Sequence, residues 1–130
     1  MRSCRATTLA AAVSIAGCAA ITTADGNRLG LGSDEFRAYV ERVLREQNKT
    51  ASDLAFALDD ATGVGGPEPR ELAGAEEALL AACAGLNELA TSRRDAQHLG
   101  IHRSAAAARS APDCERATRA AKAVLASRSL

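Results

Sequence analysis

The sequence predicts an all-α protein: a small three- or four-helix bundle that follows a short signal peptide and a flexible tether. Two observations lead there. Alanine fills 31 of the 130 positions, while Phe36, Tyr39 and Phe56 are the whole aromatic set. A composition weighted toward Ala, Leu, Glu and Arg favours helix, whereas a sandwich or barrel draws on β-branched and aromatic residues. From Ser33 onward the apolar residues also recur at helical rather than alternating spacing. The length allows one domain. Lys+Arg and Asp+Glu balance at 16 each, so there is no basic field for a nucleic acid and almost no ring for base stacking.

The first element is an address. Arg2 and Arg5 head the chain without an acid, and residues 6–16 (ATTLAAAVSIA) form a short apolar run of small residues. A basic head, a short apolar stretch and small residues at its end make an export signal. Eleven residues are too few for a bilayer, which needs about 20.

The run closes on Ile15-Ala16-Gly17-Cys18. This tetrapeptide resembles the lipobox of bacterial lipoproteins. The resemblance covers only the signal segment, and the family of the remaining chain is not recognised. It implies cleavage between Gly17 and Cys18, a diacylglycerol on the Cys18 thiol, and a further palmitate-type acyl chain on the new amine. Two or three chains make membrane release very slow, since each buried CH₂ contributes about 0.8 kcal/mol. Ala19 and Ala20 follow the Cys with no adjacent Asp, which by the same resemblance implies the outer rather than the inner membrane, on its periplasmic face. Removal of residues 1–17 leaves 14 basic and 16 acidic residues and no polybasic patch, so attachment is expected to rest on acyl chains rather than on anionic lipid.

Residues 18–32 are read as the lipidated Cys and a flexible linker. The stretch 19–32 has three glycines, two threonines and no helical period, and it could span at most about 46 Å. The helical domain is placed at 33–130. Ser33 is a suitable N-cap, with Asp34 and Glu35 at the positive end of the helix dipole. Phe36, Val40, Val43, Leu44, Leu54 and Leu58 carry the stripe of the first helix, which has a polar interruption at Asn48-Lys49-Thr50. The glycine-rich run ending at Pro67 stops it.

A second helix begins near Pro69, with Leu72, Leu79, Cys83, Leu86 and Ala90 inward and Leu80 and Leu89 widening the stripe. A short segment at 101–109 follows, then Ser110-Ala111-Pro112 makes a turn or a helix start. The last helix runs from about Asp113 to Ser127, its surface bearing a Glu115–Arg119 pair.

Cys4 leaves with the signal and Cys18 takes lipid, so Cys83 and Cys114 remain as an even pair in an oxidising compartment. A disulfide between them is expected. One straight helix over 69–109 would carry the chain about 40 Å past Cys83, too far for Cys114 to return. The helix must therefore break between them; Thr91-Ser92-Arg93-Arg94 and Leu99-Gly100 are both candidate stops, with His98-Leu99-Gly100 the favoured place.

Chemistry is thin. Asp95, His98 and His102 would share a face of an unbroken helix and could supply carboxylate and imidazole ligands to a metal. Gly100 lies between the histidines, at the expected break. Glu76-Glu77 and Asp59-Asp60 are adjacent pairs that point to different faces, and no serine has a recognisable His and acid. No enzyme activity and no cofactor are expected, apart from covalent lipid. The reading is a non-catalytic accessory or structural role on the bacterial envelope, with the membrane and another envelope protein or cell-wall component as partners. Tyr39, Leu80 and Leu89, at the margins of the stripes, are the candidates for a partner-facing patch. The rival is a metal-binding or sensing module using Asp95, His98 and His102.

Overall fold

The computed structural model describes residues 19–61 and 68–128. The signal segment, Cys18 and the breaker at 62–67 lie outside the described residues. Within them the architecture is helical, as expected, with one small addition. A two-stranded antiparallel hairpin, β1 (Ala20–Thr22) and β2 (Arg28–Gly30), precedes α1 (Asp34–Ala61), α2 (Glu68–Arg94), α3 (Ile101–Arg109) and α4 (Ala111–Ser127).

The hairpin corrects the linker reading of 19–32. Ile21 pairs with Leu29 and is buried in the helical core. The turn is closed by the Asn27 N–H, which donates to Thr23 Oγ1, while Gly26 takes a positive φ of 86° that an L side chain adopts at a cost. With two strands this short, stability has to come from packing on the helices.

α1 starts where its cap places it: the Phe36 N–H donates to Ser33 Oγ at 3.0 Å. It runs unbroken through Asn48-Lys49-Thr50, because the Thr50 hydroxyl donates to the Glu46 carbonyl and turns its own polarity back onto the helix. α2 ends at Arg94, the earlier of its two candidate stops. Residues 95–100 form the break, with Ala96 at φ 54°. α3 and α4 are separated by Ser110 alone, whose αR backbone carries the turn while its hydroxyl donates to the Ala107 carbonyl. Pro112 suits the first turn of α4, where its missing N–H has no intrahelical role.

The bundle is α1, α2 and α4 packed on one another, with α3 riding on α2. Val43, Thr50, Leu54, Leu72, Leu79, Leu86, Cys83 and Cys114 are its largest fully enclosed side chains, and burial of each leucine contributes about 1.5–3 kcal/mol. Apart from Ile21 and Tyr39, the rest of the core is alanine: Ala57, Ala61, Ala111 and Ala121 let the backbones approach closely. Cys83 and Cys114 sit in that close seam of α2 and α4, with Cα atoms 4.6 Å apart and sulfurs at the disulfide distance of 2.05 Å. The bend at 95–100 is what returns Cys114 to Cys83.

Candidate functional site

Among the described residues a buried carboxylate cluster lies under the hairpin, and an apolar groove lies between α1, α2 and α3.

The cluster centres on Glu115, in the second turn of α4. Its side chain is only 5% exposed. The position is inward because Ala111, Cys114, Thr118 and Ala121 share that side of the helix and are buried with it. Such a carboxylate needs partners, and three elements supply them. From α1, the Tyr39 hydroxyl donates to Oε2 at 2.7 Å and the Arg42 guanidinium to Oε1 at 3.3 Å. From the hairpin, the Ala24 N–H donates to Oε2 at 3.2 Å. From α4 itself, Arg119 reaches Oε1 at 2.8 Å and also grips Asp25 in the hairpin turn through two bonds of 2.8 and 2.9 Å. The Arg42 guanidinium lies over the Tyr39 ring, 5.3 Å from its centre. The surface pairing of Glu115 with Arg119 inferred from spacing is thus present, but on a buried carboxylate.

Electrostatics follow from this geometry. Burial alone would push the Glu115 carboxyl up. The Tyr39 hydroxyl, the Ala24 amide and Arg42 outweigh it, with Arg119 adding to them, and the carboxyl is held below the usual glutamate range. Burial, reinforced by the hydrogen bond to Glu115, raises the Tyr39 phenol well above its ordinary value. The Arg119 hydrogen bond lowers Asp25, and Lys122 lowers Glu46. A carboxylate with both oxygens saturated by fixed donors is a poor proton acceptor. The chemistry available to this cluster is fastening: it locks the hairpin to α1 and α4.

The groove, about 540 Å³, runs between the first three turns of α1, the end of α2 and α3. Leu31, Phe36, Val40, Leu44, Leu86 and Leu89 are the larger apolar side chains along it. It exists because α3 offers only Ser104, Ala105 and Ala108 to that face, too little volume to fill the space opposite Phe36 and Val40. Arg37, Glu41 and Arg93 complete its lining with charge.

No protein-family model, curated protein or solved structure matches the chain.

The residues singled out from sequence fall in different places. Cys18 lies outside the described residues. Cys83 and Cys114 are brought together and fully buried. Asp95, His98 and His102 are not gathered into a site: all three are exposed, the break at 95–100 separates the first two from the α3 helix bearing His102, and Asp95 pairs with Arg94. Among the described residues no three His, Cys, Asp or Glu side chains are arranged to hold a metal ion. Of the patch candidates, Leu80 is half exposed and Leu89 lines the groove. Tyr39 is buried, which corrects its placement at the margin of a stripe. Sequence reasoning missed the cluster. Its signal was an acidic residue four positions after Ala111 and three before Thr118, on the inward side of α4, with Arg119 one turn further on.

Proposed function

We propose that this chain is a lipoprotein of a bacterial envelope, held on the periplasmic face of a membrane by acyl chains on Cys18, with a non-catalytic accessory or binding role. The observation that carries the reading is Ile15-Ala16-Gly17-Cys18 at the end of a basic, short and apolar head. Two features of the fold support it. A cysteine pair at bonding distance suits a chain exported to an oxidising compartment. The hairpin begins at Ala20 and is latched to the bundle through Ala24 and Asp25. Lipid on Cys18 would therefore hold the bundle against the membrane with no loose tether between them.

Leu80 and the groove at Leu89, with the still more exposed Phe56 and Ile101, are apolar positions open to another envelope component. The absence of Asp after Cys18 favours the outer membrane.

Intact-mass analysis of the protein purified from bacterial membranes tests the anchor. The expected result is a chain that starts at residue 18 and carries lipid. A Cys18→Ser variant is expected to leave the membrane fraction. An unmodified polypeptide, or a variant that still sediments with membranes, overturns the reading.

A further inference from the structure

We propose that the groove between α1, α2 and α3 holds one of the acyl chains borne by Cys18, so that the bundle competes with the bilayer for its own lipid. The proposal rests on the lipoprotein reading above and adds a site to it.

Three observations point to that occupant. The first is position. The Leu31 N–H donates to the Ala19 carbonyl at 2.7 Å, and Leu31 and Gly32 form one end of the groove. Cys18 is the next residue, its Cα about 3.8 Å from that of Ala19. A chain attached there starts beside the groove, with the high effective concentration of a short connection.

The second is the lining. Leu31, Phe36, Val40, Leu44, Leu86 and Leu89 give an apolar wall. The hydroxyls present are already engaged: Ser33 Oγ accepts from the Phe36 N–H, and Ser104 donates to the Leu99 carbonyl. The apolar wall rewards the methylenes of a hydrocarbon, while Arg37, Glu41 and Arg93 put charge on the same lining, where the polar ester or amide end of an acyl chain can meet it.

The third is attachment. The bonds of Ala24 to Glu115 and of Asp25 to Arg119, with Ile21 buried in the core, fix the hairpin on the bundle, so its first strand cannot carry Cys18 far from the groove without breaking those bonds and exposing Ile21. Methylene burial is equally favourable in a lipid tail region and in an apolar groove. Seating one chain therefore costs little, while the remaining chains keep the protein on the membrane.

The test uses the full chain in a bacterium that processes lipoproteins, grown with a palmitate analogue bearing a diazirine. After irradiation of membranes, adducts are mapped by peptide mass spectrometry. The expected result is acyl adducts on the α1 peptide holding Phe36 and Val40, or on the α2 peptide holding Leu86 and Leu89, within a single monomer. An Ala90→Phe variant, which fills the groove, is expected to lose those adducts while incorporating the probe as before. Adducts confined to phospholipid, to another protein or to a second copy overturn the groove while leaving lipidation intact. So do groove adducts that persist undiminished in Ala90→Phe. A chain that carries no probe and has an unmodified Cys18 overturns the lipoprotein reading first, and the groove with it.

Discussion

The Tyr39 hydroxyl donates a 2.7 Å hydrogen bond to Oε2 of Glu115, joining α1 to α4 across 76 positions of sequence. Through the same carboxylate the hairpin is tied to both helices. Glu115→Ala would strand a buried phenol and the Ala24 amide, and leave Arg42 and Arg119 without the charge between them. Removing one member of a fully buried pair costs about 3–5 kcal/mol, but the two arginines are nearly half exposed, so a loss of about 2–3 kcal/mol is expected. Tyr39→Phe removes one donor and keeps the ring, at about 1 kcal/mol. Urea unfolding followed by circular dichroism measures both. Equal losses in the two variants would mean that Glu115 is not the centre of the cluster.

The same groups set an acid limit. The carboxyls of Glu115 and Asp25 are held below their ordinary values, the first by donors that outweigh burial and the second by Arg119. At acid pH the unfolded chain therefore binds more protons than the folded one. Their contribution is complete above the unfolded values of about 4 and is lost as pH falls through the lower folded values. Stability is expected to be flat in this respect from pH 7 to about 5, then to drop below about 4. Protection of the Ala24 and Leu31 amides, measured against intrinsic exchange at each pH, should fall on acidification before protection in the α2 core does. Glu115→Gln should weaken that dependence, and an unchanged acid profile in the variant would contradict the assignment.

The crosslink is the strongest single staple available to a core this rich in alanine. Cys83 and Cys114 are 31 positions apart, and closing a loop of about 30 residues restricts the unfolded chain by roughly 3–4 kcal/mol. A Cys83→Ala, Cys114→Ala double variant is expected to lose about that much in equilibrium unfolding. Since both residues are fully buried, the native protein should resist alkylation until reductant and denaturant are applied together. Ready alkylation of the oxidised native protein would count against the bond.

The helices were legible because their signals are local. The Ser33 cap, the stripe of Leu72, Leu79, Cys83 and Leu86, and the turn around Ser110 each act within a few residues; the first two stand where they were read, and the turn shrinks to Ser110 alone, with α4 starting at Ala111 rather than about Asp113. The break between the cysteines was legible from a length argument, and of its two candidate stops the earlier, at Arg94, ends the helix. The hairpin was not. Residues 20–30 have too little apolar content to announce strands, and they fold because Ile21 enters a core built by distant helices and Ala24 meets Glu115 from 91 positions away. The groove was also hidden, because Phe36, Val40 and Leu44 read as core. Only the small side chains of α3, set opposite them by the tertiary fold, leave them partly uncovered.

Those small side chains mark a close approach that can be tested at Gly85. A Cβ placed there would meet the Ser110 hydroxyl oxygen at 3.0 Å and the Ala107 Cα at 3.4 Å. In an open helix interior, glycine to alanine gains about 0.8–1.0 kcal/mol. Here the gain is opposed, because the Ser110 hydroxyl is held against the Ala107 carbonyl at 2.6 Å and must move. Gly85→Ala alone is expected to be near neutral. Introduced into a Ser110→Ala background, the same change should recover at least about 0.5 kcal/mol of the helix gain, a coupling that a double-mutant cycle reads directly. Gly85→Val, which pushes bulk toward the Ala107 backbone, should destabilise by about 1–3 kcal/mol. Full stabilisation by Gly85→Ala in the native background would show that α2 and the α3–α4 junction are not in tight contact.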